Sequence, residues 1–298
     1  MARTALDRLP PRALLDGAMG TELMARGLRA GKDCAESWNL DRPDDIRRVH
    51  QAYFAAGADV VQTNTFGATR IRLSAFGRQT DVRALNLAGA LLARELRPAG
   101  VLIAASVGPT GAIPPPEGKA DLIEMEDAYA EQAMALAEGG VDLIHVETMY
   151  HPKEARAALR GIHEGAPGLA VVASMTCRRT TRGYATPLGF PPEPMIAAFL
   201  EEDADGVGVN CTLAPADMLD LIRLLRSKTS KPIFAKPTVT PTNQAPILPE
   251  ELATGALALI AAGATAVGGC CGAGPEDIRA VRKAIDDAPR TLDEIEVG

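Results

Sequence analysis

Short apolar runs, bounded by polar residues or by glycine and proline, recur along the chain at Leu14–Met19, Asp59–Thr65, Val101–Gly108, Leu143–Thr148, Ala170–Cys177, Gly206–Cys211, Ile233–Thr238 and Ala266–Cys271. Runs of this kind read as buried strands. Stretches with helical periodicity lie between them: Asp44–Ala56, Asp81–Leu96, Asp121–Glu138, Pro152–His163, Ala216–Arg226, Pro249–Ala262 and Pro275–Ala288, with a shorter, weaker one at Pro192–Leu200. Several open with proline or carry an acid in their first turn, as helix starts favour. The phrases AAGADVV (55–61), EGGVDLI (138–144) and AAGATAV (261–267) share one form, a helix ending on glycine that turns directly into a strand. Glycine there supplies the left-handed conformation that helix ends often need.

Eight strands alternating with eight helices in 298 residues predict an α/β fold, a (β/α)8 TIM barrel forming one domain over residues 1–298. A doubly wound sheet uses the same repeat, but no G-x-G-x-x-G follows a predicted strand, so a dinucleotide-binding version has no support. The formal net charge of −7 and the lack of a basic run argue against nucleic acid as a partner. No apolar stretch is long enough to span a bilayer, and no apolar segment behind the N-terminal arginines reads as a secretory leader. Five cysteines, two of them adjacent, do not form a disulfide framework, and a cytoplasmic location is expected.

In a barrel the chemistry sits where strands end. Those ends carry Asp16-Gly17-Ala18, Gln62-Thr63-Asn64, Glu147-Thr148, Asn210-Cys211, Lys236-Pro237-Thr238 and Gly268-Gly269-Cys270-Cys271-Gly272. Cys211, Cys270 and Cys271 converge on one rim, and three thiolates with a fourth position open are the ligand set of a catalytic zinc. Cys34 and Cys177 read as small buried hydrophobes. A vicinal Cys270–Cys271 disulfide is the third option and needs a strained bond and an oxidising compartment. His50, His145, His151 and His163 have no metal-ligand spacing and read as packing or surface residues. Gly111–Lys119 has the wrong spacing for a phosphate loop and three prolines that remove backbone donors. No G-x-S-x-G is present, so a serine hydrolase has no support.

DGAMGTEL (16–23), ADVVQTNTFGATRIRL (58–73), SVGPTG (106–111), HVETM (145–149), GVNC (208–211) and GGCCGAGPEDI (268–278) together resemble the homocysteine S-methyltransferase family, in order from about Leu14 to Ile285. The resemblance implies a homocysteine-binding barrel with one Zn2+ per chain on Cys211, Cys270 and Cys271. It also implies substrate contacts at Asp16, Gly17, Ala18, Thr63 and Glu147. An acidic Glu147 suits the substrate ammonium, and free backbone N–H groups around Gly17–Ala18 suit its carboxylate. No side chain is expected to act as acid, base or nucleophile, because the metal activates the substrate thiol itself.

TNTFGATR is most similar to the homocysteine barrel of cobalamin-dependent methionine synthase. The chain carries no second barrel and no D-x-H-x-x-G segment, and Pro237-Thr238-Val239-Thr240 replaces the usual Pro-Asn-Ala-Gly. The implied methyl donor is methylcobalamin on a separate corrinoid protein or a small methyl-onium compound such as S-methylmethionine. Betaine is an alternative that needs an aromatic cage, for which Phe66, Tyr150, Tyr184 and Phe190 are the rim candidates. A non-catalytic subunit of a split methionine synthase, delivering zinc-bound homocysteine, is the other alternative.

Overall fold

The computed structural model describes residues 4–242 and 244–289. Eight parallel strands, β1 (Ala13–Leu14), β2 (Val60–Gln62), β3 (Leu102–Val107), β4 (Leu143–Met149), β5 (Ala170–Met175), β6 (Gly206–Asn210), β7 (Ile233–Lys236) and β8 (Ala266–Val267), pair in that order, with β8 returning to β1. A bridge between Leu15 and Val60 joins β1 to β2 and closes the ring. This is the (β/α)8 barrel; an open doubly wound sheet would leave two free edges.

Side chains alternate across each strand, and the two faces build two cores. Ala13, Leu15, Val60, Leu102, Ala104, Leu143, Val172 and Phe234 point inward and fill the N-terminal end of the barrel, where Ala5 and Leu6 join them from a short 3-10 turn, Ala5–Arg8. Outward residues such as Val61, Ile103, Ile144, Val207 and Ala235 pack against the surrounding helices. Six of those helices begin on proline: Pro43–Ala55, Pro152–Gly165, Pro192–Glu201, Pro215–Lys228, Pro249–Ala261 and Pro275–Asp287. Gly57, Gly140 and Gly263, which end helices ahead of β2, β4 and β8, all have φ between +73° and +113°, the conformation expected of them.

The first and last strands are shorter than their apolar runs. Pairing in β1 stops at Leu15, and a helix, Met19–Ala25, starts where the run predicts strand. In β8 the strand ends at Val267, and the N–H groups of Gly268 and Gly269 then donate to the carbonyls of Ala235 and Asp16 on either side. Among the elements without a periodic signal are an antiparallel hairpin of Arg178–Thr180 with Gly183–Ala185 after β5 and two short helices, Trp38–Asp41 before β2 and Arg70–Ser74 after it. Among the described residues no helix is long and apolar enough to cross a membrane.

Candidate metal and substrate site

The inward row changes character along the barrel. Above the apolar layers the same alternation brings in Gln62 of β2, Ser106 of β3, His145 and Glu147 of β4, Ser174 of β5, Asn210 of β6 and Lys236 of β7, with Asp16 just beyond β1. All are buried, so each polar atom needs a partner inside the protein.

They find one another. Ser106 Oγ and Gln62 Nε2 both donate to Glu147 Oε1 at 2.6 Å, and Asn210 Nδ2 donates to Oε2 at 3.0 Å. Lys236 Nζ donates to Asp16 Oδ1 at 2.7 Å and to Gln62 Oε1. The backbone N–H of Gln62 donates to Asp16 Oδ2 at 2.6 Å. His145 bonds Ser174 Oγ at 2.7 Å, with its ring edge-on to Phe234. Burial pushes the Glu147 carboxyl up to about 7 against the pull of the Lys236 ammonium. Burial also opposes the Lys236 charge, but Asp16 and Glu147 beside it hold that ammonium above the usual lysine range.

Cys211, Cys270 and Cys271 meet at the rim over this network, their sulfurs all within 4.8 Å of one another. Cys211 and Cys271 are 3.4 Å apart, sulfur to sulfur. The end of β7 is the pivot of this arrangement: Cys211 N–H donates to the Lys236 carbonyl, Cys270 N–H to the Pro237 carbonyl, and Val239 N–H to the Cys271 carbonyl. Cys211 has φ +83° and Thr148 has φ +63°, a region that costs a non-glycine residue energy. Asn210, the residue before Cys211, accepts from Thr148 N–H and donates to Thr148 Oγ1, which ties the two strand ends together. Cys271, receiving hydrogen bonds from Cys211 and Cys270, is held well below the usual thiol range, and Cys211, which donates, is driven above it. No other histidine, cysteine or carboxylate among the described residues joins the three, and all five cysteines are free thiols.

Cys34 and Cys177 are core residues, as expected, with burial pushing their thiols up to about 11 and about 12. None of the four histidines approaches the cysteine cluster as a ligand: His145 is inside the barrel, His151 caps a helix, His163 contacts the Glu202 carbonyl, and His50 is buried in a helix. Of the rim aromatics, Phe190 packs edge-on against His151, Tyr184 donates to the Asp217 carbonyl, and Phe66 lies against Gly108. No ring contact joins them to each other among the described residues.

The sequence-predicted substrate residues divide. Asp16 and Glu147 share the buried network. Gly17 sits where the loops after β1 and β8 nearly touch: a Cβ there would lie 2.4 Å from the Ala273 carbonyl oxygen. The Ala18 N–H is not free, because it donates to that same carbonyl at 2.9 Å. The Thr63 hydroxyl is occupied between β2 and β3, accepting from Ser106 N–H at 3.1 Å and pairing with Thr65 Oγ1 at 2.5 Å. Gln62, Ser106, Asn210 and Lys236 were given no role by sequence reasoning. Their signal is a polar residue at an inward position near the C-terminal end of a strand, where the lower inward positions are apolar.

The sequence profile of the homocysteine S-methyltransferase family matches residues 13–285. The methionine synthase of Mycobacterium tuberculosis is 33% identical, over 96% of this chain and 26% of that protein, and that of Mycobacterium leprae is 31% identical, over 94% and 25%. The chain therefore spans about a quarter of the length of the curated relatives it matches. Among solved structures, the oxidized form of the homocysteine methyltransferase MmuM from Escherichia coli aligns with a TM-score of 0.76 at 27% identity, covering 91% of this chain and 95% of that one. Its metallated form aligns with a TM-score of 0.75 at 26% identity.

Proposed function

The chain belongs to the homocysteine S-methyltransferase family, and from that membership we propose that it methylates the sulfur of homocysteine to give methionine, using one zinc ion held by Cys211, Cys270 and Cys271. The observation that carries this reading is the pairing of a three-cysteine cluster with a buried carboxylate, Glu147, at the same barrel mouth. Tetrahedral zinc with Zn–S bonds of about 2.3 Å sets its sulfurs about 3.8 Å apart, and sulfurs that lie within 4.8 Å of one another suit that geometry. When bound, zinc supplies the positive charge that makes the substrate thiol a thiolate at neutral pH.

The protein's own residues orient the amino acid. Glu147, held on three sides by Ser106, Gln62 and Asn210, receives the substrate ammonium. Asp16 shares that network, Gly17 and Ala18 lie in the loop just beyond it, and Thr63 ties β2 to β3 behind it. With the Ala18 N–H already bonded, the substrate carboxylate takes its donors from elsewhere on the rim. Fixing the sulfur over the mouth sets it in line with a methyl group and excludes water, a proximity effect that lowers the barrier.

Of the donors that the resemblance implies, a sulfonium such as S-methylmethionine is the first to test, because it needs no partner protein. Methylcobalamin on a separate corrinoid protein is the second. Betaine is the third, with Phe66, Tyr150, Tyr184 and Phe190 as the rim aromatics that a cage would draw on. Assaying methionine formation with zinc, homocysteine and each donor in turn tests the proposal. Turnover with any one of them is expected, and none with the full panel would leave a homocysteine carrier rather than an enzyme.

Homocysteine should also bind with proton release, because its thiol ionises on the metal. Calorimetry in two buffers of different ionisation enthalpy measures this. Identical heats would mean that the thiol stays protonated and out of reach of the cysteines.

A further inference from the structure

Lys236 holds no metal and has no part in the substrate contacts described so far, yet among the described residues no other lysine or arginine is buried. A buried ammonium is costly to keep and needs full pairing. Its two bonds go to Asp16 Oδ1 and Gln62 Oε1. The second of these decides how the Gln62 amide faces.

With its oxygen turned to Lys236, Gln62 points Nε2 at Glu147 Oε1, 2.6 Å away, and at His145 Nδ1, 3.3 Å away. The His145 ring is neutral, pushed down to about 3 by burial and by Lys236, so Nδ1 accepts and Nε2 donates to Ser174. A reversed amide would set its oxygen against the Glu147 carboxylate and its NH2 against the Lys236 ammonium, losing both bonds. Counting Asp16, Glu147 and Lys236, the buried charges sum to one negative, which is what a single ammonium balances.

We infer that Lys236 is a positioning residue for recognition of the substrate's amino group, acting through Gln62 to fix the Glu147 carboxylate that receives it. The inference rests on the homocysteine reading above and assigns the preference for an amino thiol over a plain thiol to the Lys236–Gln62–Glu147 relay.

The test compares the zinc-loaded protein's affinity for homocysteine with that for 4-mercaptobutyrate, which lacks only the amino group. Lys236→Met should cut homocysteine affinity by about ten- to a hundredfold, the effect of losing one charge-assisted contact, and leave 4-mercaptobutyrate binding and zinc content unchanged. Gln62→Met, which keeps the Lys236–Asp16 pair, should do the same and decides the matter if Lys236→Met fails to fold. On a Glu147→Gln background either change should cost little more, since all three act on one contact. A retained amino preference in Gln62→Met overturns the relay while the homocysteine reading stands. Wild-type protein that shows no preference for homocysteine over 4-mercaptobutyrate overturns the relay together with the role proposed for Glu147.

Discussion

Replacing any one of Cys211, Cys270 and Cys271 by alanine should strip the protein of its metal and its methyl transfer together. Three sulfurs with one open position are the fewest protein ligands a catalytic zinc commonly keeps, so two leave the ion held too weakly to survive dialysis. Elemental analysis should read about one zinc per chain for wild type and close to none for each variant. Cys34→Ala and Cys177→Ala should keep the metal, because those thiols are buried in the core and away from the mouth. The barrel itself should survive in the rim variants, since Cys271 is exposed and Cys211 and Cys270 are only half-buried. A Cys270→Ala or Cys271→Ala protein that retains full zinc would sink the proposed site.

Glu147→Gln should weaken homocysteine binding about ten- to a hundredfold, the usual worth of a charge-assisted hydrogen bond at roughly 1.5–3 kcal/mol, with zinc content unchanged. Glutamine keeps the shape and removes the charge that the ammonium needs. The direction with pH follows from the burial of this carboxyl, which titrates at about 7. As pH falls through that value Glu147 takes up a proton and can no longer pair with the ammonium. Wild-type affinity for homocysteine should therefore fall more steeply below pH 7 than affinity for 4-mercaptobutyrate, and the difference should vanish in Glu147→Gln. Equal losses for both thiols would show Glu147 supporting the fold rather than the substrate.

The barrel was legible because its two signals are local. Apolar runs mark strands, and Pro-initiated, glycine-terminated stretches mark helices, so the alternation survives without any long-range information. The cysteines were legible for the same reason, since Gly-Gly-Cys-Cys-Gly at a strand end has few structural uses. Lys236 and Gln62 were legible as strand-end residues but not in their pairing. Nothing in Ile-Phe-Ala-Lys names a partner for the lysine, and only closure of the ring shows that it faces Asp16, 220 residues away in the chain. The Ala18 N–H differs from expectation in the opposite way, because the sequence cannot show that the Ala273 carbonyl already accepts from it. The hairpin after β5 was missed because Arg178–Thr180 and Gly183–Ala185 are too short and too polar to show an alternating pattern.

The pairing of β1 with β8 also has a consequence for how the protein is made. Ala13 finds its β8 partner only in Ala266, so a chain emerging from the ribosome carries its first strand unpaired on one side until Ala266 has been synthesised. Contacts between such distant residues form slowly. Two of the three sulfurs lie just past that last strand and the third 60 residues before Cys271, so ring closure and the appearance of a complete ligand set fall at the same late moment. A nascent chain interrupted before Cys270 has neither, and a metal ion captured early by Cys211 alone has no second thiol on the rim to hold it.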